Sequence, residues 1–265
     1  METHLSLHHC AEGESVSLAL RKAAPAQDTG KPGFVWLGGF RSDMKGTKAQ
    51  AMVEEAAALG CASLRFDYSG HGESGGVFEE GTISRWLAEA LAVLEAHTQG
   101  PQILVGSSMG GWIALRVVEE MQKRGQAAQI AGLLLIAPAP DFTQKLMEPA
   151  FSDEQRAEMA ARGFIEEPTP YSDEPNIITA KLIEDGRNNC VMDKNLALGV
   201  PVHILQGTDD PDVPMVRAQA LAQALPHDDV VLTLVKGGDH RLSRDEDIAL
   251  LRRSMGQVLE RTLRN

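Results

Sequence analysis

The stretch Gly106-Ser107-Ser108-Met109-Gly110 decides how we interpret this chain of 265 residues. It follows an apolar run, Ile103-Leu104-Val105, and precedes a segment with helical spacing of apolar residues, Trp112 to Lys123. A G-x-S-x-G pattern between a strand and a helix predicts a nucleophile elbow, a sharp turn from which the serine side chain projects. Glycines on both sides let the backbone turn where side chains would collide. We therefore expect Ser108 to be exposed at the start of a helix, where the dipole favours negative charge.

Outside this stretch, strand and helix patterns alternate. Two short antiparallel strands are predicted near the start, at 4–10 and 15–24, and later apolar runs predict further strands, of which 34–37 is expected to be buried on both faces. The later strands are predicted at 34–37, 62–66, 102–105, 130–136, 202–205 and 230–235, and the helices at 48–59, 83–94, 109–123, 215–224 and 245–263. This alternation predicts an α/β fold with a mostly parallel sheet of about eight strands, flanked by helices. Functional loops in such a sheet gather at the carboxyl ends of the strands.

One long segment, 141–199, interrupts the alternation. It is charged, contains scattered apolar residues and is too long to be an ordinary connection between a strand and a helix. We predict that it forms a cap, helical in part, inserted after the sixth strand over a core made of 1–140 and 200–265. The alternative is a second layer of structure that does not contact substrate. If it is a cap, we expect Phe142, Leu146 and Phe164 to line a substrate pocket.

Partners for Ser108 follow it in the chain. Asp210 comes after the strand at 202–205 in a loop defined by glycine and proline, although Asp209 and Asp212 remain alternatives. His240 comes directly after the strand at 230–235. A serine hydroxyl needs a base, and the base needs an acid that fixes its tautomer. The order Ser108, Asp210, His240 is the order of such residues in an α/β hydrolase.

Three other polar residues are candidates that we consider weaker. Asp67 and His71 lie in a glycine-rich loop after a buried strand, but both precede Ser108 in the chain. His203 lies inside a strand, which is typical of a core residue.

The oxyanion of an acyl-transfer reaction requires donors as well. The apolar run 34–37 ends in Gly38-Gly39-Phe40-Arg41, where glycines allow close approach of the backbone to a ligand. We predict that the backbone N–H groups of Met109 and Phe40 are the two donors. An ordinary strand-to-helix turn is the alternative for the Phe40 loop.

Composition excludes several classes of protein. A net charge of −12 argues against nucleic acid or an anionic membrane as the main partner. The three cysteines are far apart and form no C-x-x-C pair, so we predict no disulfide framework and a reducing compartment. The histidines and cysteine at 4–10 have helical ligand spacing in a segment that favours a strand, so we predict no metal site there. We also predict no cofactor, no membrane span and, because no signal peptide is evident, a cytoplasmic location.

The chain resembles the α/β-hydrolase superfamily over nearly its whole length. More narrowly, it is similar to mitochondrial enzymes that hydrolyse acyl glucuronides and palmitoylated proteins. The similarity is carried by the stretches 38–49, 65–70 and 106–112, of which the Met-x-Gly-Thr-Lys-Ala core at 44–49 is the most specific, and in the insertion by Tyr171-Ser172 and Cys190. The resemblance implies a nucleophile at Ser108, an acid at Asp210, a base at His240, and hydrolysis of acyl thioesters or activated acyl esters. The chain departs from these relatives in lacking an arginine-rich leader, which would fit a bacterial cytoplasmic homologue.

Together these patterns predict a serine hydrolase that forms an acyl-enzyme on a small-molecule or acylated substrate. A broad carboxylesterase without thioester preference is the first alternative. A cofactor-free perhydrolase or oxidase and a non-catalytic binding protein on the same fold are weaker alternatives. The acyl chain length, the leaving group and the oligomeric state do not follow from the sequence, because fold and site residues do not define the acyl group.

Overall fold

An eight-stranded sheet organises the protein. The structure, a computed structural model, describes residues 2–11, 14–25, 27, 29–169, 172–194 and 196–264. The strands of the sheet are β1 (Glu2–Ala11), β2 (Glu14–Ala23), β3 (Gly33–Leu37), β4 (Ser63–Phe66), β5 (Gln102–Ser107), β6 (Ile130–Ile136), β9 (Val202–Gly207) and β10 (Val230–Val235). Their spatial order is β1-β2-β4-β3-β5-β6-β9-β10. The first two pairings, β1 with β2 and β2 with β4, are antiparallel, and the others are parallel.

Helices cover both faces of this sheet. They are α1 (Thr47–Ala58), α2 (Ile83–His97), α3 (Met109–Lys123), α7 (Met215–Gln223) and α8 (Asp245–Thr262). The core on one face contains apolar residues of α2, α3 and α7, and the core on the other face contains those of α1 and α8. The predicted α/β fold is therefore confirmed. Because β3 and β5 are neighbours at the centre of the sheet, their carboxyl ends place the Phe40 loop beside Ser108.

The segment between β6 and β9 contains more strand than its sequence predicts. A π-helical turn (Thr143–Met147) leads into α4 (Glu148–Ala150) and α5 (Asp153–Arg162), and α6 (Ala180–Asn188) is the last described helix before β9. Between α5 and α6, β7 (Phe164–Thr169) and β8 (Ser172–Thr179) form a separate antiparallel pair. A small apolar cluster that includes Phe151, Ile165, Ile178 and Ile183 packs this hairpin against the helices.

Buried polar groups attach the end of this segment to α3 and to the start of the segment itself. The Asn189 carbonyl accepts a hydrogen bond from Trp112 Nε1 (3.0 Å), and its side-chain oxygen accepts one from Arg116 Nε (3.2 Å), both on α3. Asp141, which is fully buried at φ 56°, accepts from the backbone N–H groups of Val191 (2.8 Å) and Met192 (2.9 Å). Burial raises the pKa of Asp141, and the two N–H donors oppose that effect. Helix α3 therefore carries both Ser108 at its start and the attachment of the 141–199 segment.

Candidate active site

The turn between β5 and α3 has the sharp geometry that its sequence predicts. Ser108 adopts φ 53° and ψ −116°, a conformation that costs a non-glycine residue about 1–3 kcal/mol and occurs where the surroundings enforce it. A Cβ on Gly106 would lie 2.5 Å from the Gly110 carbonyl oxygen, and one on Gly110 would lie 2.0 Å from the Leu37 carbonyl oxygen. Neither residue can therefore carry a side chain without moving backbone. The turn leaves Ser108 partly exposed, between buried neighbours.

Three side chains from distant parts of the chain form a continuous hydrogen-bonded chain at this turn. His240 Nε2 lies 3.1 Å from Ser108 Oγ, and His240 Nδ1 lies 2.9 Å from Asp210 Oδ2. Because an ionised carboxylate can only accept, Nδ1 carries the ring proton in the neutral imidazole and Nε2 is free to accept the serine proton. The structure therefore brings together the three residues that the sequence singles out.

The Asp210 carboxylate is held by several donors. Its Oδ1 accepts from the backbone N–H groups of Asp212 (2.9 Å) and Val213 (2.8 Å), and its Oδ2 accepts from Gln206 Nε2 (3.0 Å) in addition to His240. Burial by itself raises the pKa of Asp210, but the hydrogen bonds and the charge of His240 outweigh it and lower that pKa below its usual value. A lowered pKa favours the ionised carboxylate, whose Oδ2 contacts the ring of His240.

Gln206 is a site residue that the sequence analysis missed. Its side chain is fully buried at the end of β9, and its amide also donates to the Val213 carbonyl (3.0 Å), which closes the loop that carries Asp210. A glutamine at the end of a buried strand, four residues before a candidate acid, is the only signal that the sequence offers for this role.

The alternatives to Asp210 and His240 have other contacts. Asp209 accepts a hydrogen bond from Thr208 Oγ1 (2.8 Å). His203 is buried, its Nε2 lies 3.0 Å from Thr233 Oγ1, and burial lowers its pKa to about 4, as suits a core residue. The ligand atoms of Asp210, Asp212 and His240 lie within 4.8 Å of one another, a spacing that metal ligands also have. Since Asp210 and His240 already share a hydrogen bond, a metal-free site remains our expectation.

The loop after β3 approaches Ser108 closely. A Cβ on Gly39 would lie 3.3 Å from the Ser107 carbonyl oxygen and 3.4 Å from Ser108 Cβ. In the part of the chain that the structure describes, the Phe40 and Met109 N–H groups have no protein acceptor. The Gly39 carbonyl accepts from both the N–H (3.2 Å) and the Oγ (3.0 Å) of Ser42. The Phe40 N–H belongs to the same trans peptide and therefore points to the side opposite that carbonyl.

Asp67 and His71 are not part of the hydrogen-bonded chain; both contact the Phe40 loop instead. Asp67 is buried and accepts from the N–H groups of Met44 (2.7 Å) and Glu73 (2.8 Å). His71 Nε2 accepts from the N–H of Arg41 (3.2 Å). The glycine-rich loop that carries Asp67 and His71 therefore supports the neighbouring loop.

We expect Asp67→Asn to destabilise the protein, because Asp67 joins two loops although it is not part of the hydrogen-bonded chain of Ser108, His240 and Asp210. An asparagine keeps one acceptor, but its NH₂ group would face one of the two backbone N–H donors and leave it unsatisfied. The free energy of unfolding, measured by urea denaturation, should fall by about 1–3 kcal/mol. Asp43→Asn is the matched control: its carboxylate is exposed and accepts from Lys45 N–H, so the change should stay within about 0.5 kcal/mol. Equal effects of the two substitutions would contradict the assigned role of Asp67.

The residues proposed to line the pocket lie in two places. Phe142 is buried, with its ring centroid 5.8 Å from that of Phe40 and 5.5 Å from that of Trp112, and Leu146 packs against the same core. Phe164 lies on β7 under the Arg162 guanidinium (4.2 Å) and lines a groove with Ile177 and Lys181. Phe142 is thus the pocket candidate with a direct contact to the Phe40 loop.

Two further predictions concern cysteine and the membrane. Among the described side chains, Cys61 and Cys190 are both free thiols. Of the possible metal ligands near the start, the side chains of His4, His9 and Cys10 lie outside the described residues, and the backbone at 4–10 is strand, as predicted. Tyr171, which contributes to the family resemblance, also lies outside the described residues. No described helix combines the length and the apolar character that crossing a bilayer requires.

A mostly parallel sheet carries a strained serine between β5 and α3, and this serine is hydrogen-bonded to a histidine that in turn bonds an aspartate, both in loops after later strands. This arrangement defines the α/β-hydrolase class. In agreement, the model of the alpha/beta hydrolase family matches residues 32–251, and the chain belongs to this family. It is 32% identical to the mitochondrial palmitoyl-protein thioesterase ABHD10 of Bos taurus, over 96% of this chain and 83% of the relative.

Solved structures agree with that assignment. A protein of Agrobacterium vitis S4 described as a hydrolase superposes with a TM-score of 0.94 at 53% identity, covering 98% of this chain and 99% of the other. Alpha/beta hydrolase domain-containing protein 10 from mouse has a TM-score of 0.84 at 30% identity, covering 97% of this chain and 98% of the other. The resemblance that the sequence motifs indicate is confirmed.

Proposed function

We propose that the protein is a serine hydrolase that cleaves acyl thioesters or carboxylic esters through Ser108, His240 and Asp210. The observation that carries the proposal is the unbroken hydrogen-bonded chain from Ser108 Oγ through both nitrogens of His240 to Asp210 Oδ2. Membership of the α/β-hydrolase family supports it independently.

Acylation follows from this geometry. Ser108 Oγ attacks the acyl carbon while His240 Nε2 takes its proton, so that the imidazolium forms beside ionised Asp210. His240 then gives the proton to the leaving thiol or alcohol, and the acyl group remains on Ser108. In the second half-reaction His240 removes a proton from water, which attacks the acyl carbon. His240 then gives that proton to Ser108 Oγ as the bond between this oxygen and the acyl carbon breaks and the carboxylic acid leaves.

The negative charge of each tetrahedral intermediate needs donors that are in place before the reaction. We assign them to the Phe40 and Met109 N–H groups, which have no acceptor among the described residues and flank Ser108. Loss of one such donor typically costs about 10²–10³ in kcat.

The proposed substrate class is an acyl group of apolar character. The relatives that share about a third of this sequence are named palmitoyl-protein thioesterases, and this name supports a thioester as the substrate. The aromatic contacts of Phe40 with Phe78 (4.9 Å) and Phe142 (5.8 Å) give the proposed oxyanion loop an apolar border. We further propose that 141–199 is the cap, because it contributes Phe142 and is attached to the helix that begins at Ser108.

The test compares kcat/KM for a long-chain acyl thioester and the oxygen ester of the same acyl group, with a short nitrophenyl ester as the third substrate. We expect both long-chain substrates to be turned over and a fluorophosphonate probe to label Ser108. A preference for the thioester supports the thioesterase reading. Equal or better turnover of the oxygen ester instead supports the broad carboxylesterase, and absence of labelling contradicts the serine mechanism.

Location remains a prediction. The curated relatives are named as mitochondrial proteins, whereas the sequence led us to expect a cytoplasmic protein. Fractionation of the native cells with an antibody against this chain would decide between the two.

A further inference from the structure

His71 is a buried titratable residue that the proposed mechanism does not use. Its side chain is almost fully buried, and its ring packs against Tyr68, Phe78 and Trp86, with centroid distances of 5.8, 5.1 and 5.2 Å. Both ring nitrogens have partners: Nδ1 lies 3.1 Å from the Ser69 carbonyl oxygen, and Nε2 lies 3.2 Å from the Arg41 N–H.

These partners define one tautomer. A carbonyl oxygen can only accept, so Nδ1 carries the proton, and a backbone N–H can only donate, so Nε2 is bare. Burial lowers the pKa of His71 to about 4, partly opposed by the bond to Ser69, so the ring stays neutral near pH 7. A neutral ring in this tautomer is a fixed acceptor for the Phe40 loop.

The bond from Arg41 acts on the peptide next to the proposed oxyanion donor. Arg41 has φ 55°, which is unfavourable for a residue with a side chain and needs external contacts to persist. His71 holds the Phe40–Arg41 peptide, and Ser42 holds the carbonyl of the Gly39–Phe40 peptide. Because peptides are planar, only the two backbone torsions of Phe40 lie between these restraints, and together they fix the direction of the Phe40 N–H.

We infer that His71 is a positioning residue for the oxyanion hole: it orients the Phe40 N–H by accepting the hydrogen bond of the next residue. This inference rests on the proposed function. It assigns His71 no contact with substrate and no proton transfer. The effect should therefore appear where negative charge develops and not in ground-state binding.

The test is a pair of substitutions. His71→Phe keeps an aromatic ring in the cluster but removes the acceptor, and we expect kcat to fall by about 10–100-fold with KM changed by less than about twofold. His71→Gln offers a side-chain oxygen near the position of Nε2, and its kcat should stay within about fivefold of that of the unmodified protein. A trifluoromethyl ketone, to which Ser108 adds to form an oxyanion, should bind His71→Phe more weakly by the factor lost in kcat/KM.

Three results would overturn the inference. They are an unchanged kcat in folded His71→Phe, a loss of kcat without weaker ketone binding, and equal losses in His71→Phe and His71→Gln. If His71→Phe does not fold, the nitrogen NMR signals of the unmodified protein provide the test between pH 6 and 8. A protonated Nδ1 and a bare Nε2 support the inference, and a protonated Nε2 contradicts it.

Failure of the proposed function would look different. If fluorophosphonate does not label Ser108 in the unmodified protein, the serine mechanism fails whatever His71 does. If labelling and turnover are normal but His71→Phe keeps full kcat, only the positioning role fails.

Discussion

Replacing Ser108 and His240 by alanine, singly and together, should produce three variants of nearly equal, residual activity. Each single change should lower kcat by about 10⁴–10⁶-fold, and the double change should add little, because residues that act as one unit lose their contribution together. The physical reason is the shared proton: without His240 the Ser108 hydroxyl is not activated, and without Ser108 the imidazole has no nucleophile to activate. The measurement is kcat on the acyl ester, with melting temperatures of all variants to exclude unfolding.

Additive losses in the double variant would contradict this prediction. They would mean that Ser108 and His240 contribute independently, for example by binding substrate, as in the perhydrolase and binding-protein alternatives. Asp210→Asn extends the test, since an amide cannot hold the Nδ1 tautomer as a carboxylate does. Its kcat should fall by about 10⁴-fold although the hydrogen-bond geometry can be retained.

Much of this site could be predicted because its parts have local signals. The glycines around Ser108 and the loop of Asp210 follow buried strands, β5 and β9, whereas the loop of His240 follows the partly exposed edge strand β10. Parallel strands bring such loops to one edge of the sheet. Loop placement did not separate Asp210 from its neighbours Asp209 and Asp212, which lie in the same loop; the bond from His240 to Asp210 makes that distinction.

The features that the sequence did not predict depend on contacts between distant segments. The hairpin of β7 and β8 contains Pro168 and acidic residues, which disfavour strands locally, and it is held by the apolar cluster around Ile165 and Ile178. Gln206 supports the candidate acid across a loop. His71 was a weaker catalytic candidate in the sequence. In the structure its Nε2 accepts a hydrogen bond from the backbone N–H of Arg41, 30 positions away, and no local motif can indicate such a contact.

Glycine substitutions in two helices should have opposite effects on stability. Gly110 and Gly256 both lie within helices, where alanine is normally favoured by about 0.5–1 kcal/mol. A Cβ on Gly256 meets nothing within 4 Å, so Gly256→Ala should stabilise the protein by about that amount and leave kcat/KM unchanged. A Cβ on Gly110 would lie 2.0 Å from the Leu37 carbonyl oxygen and 2.7 Å from that of Gly38, and both are backbone atoms that cannot rotate away.

Gly110→Ala should therefore force α3 and the start of the Phe40 loop apart. We expect a destabilisation of about 3 kcal/mol or more in urea denaturation, since overpacking against backbone has no cheap relaxation. In the fraction that folds, kcat/KM should fall by about 10²-fold, because a displacement of about 1 Å misaligns Ser108 and the Phe40 N–H. If Gly110→Ala were as stable and active as Gly256→Ala, the close contact that we describe between Gly110 and the Leu37 and Gly38 carbonyls would be contradicted. The proposed oxyanion hole would then lose the geometry on which it depends.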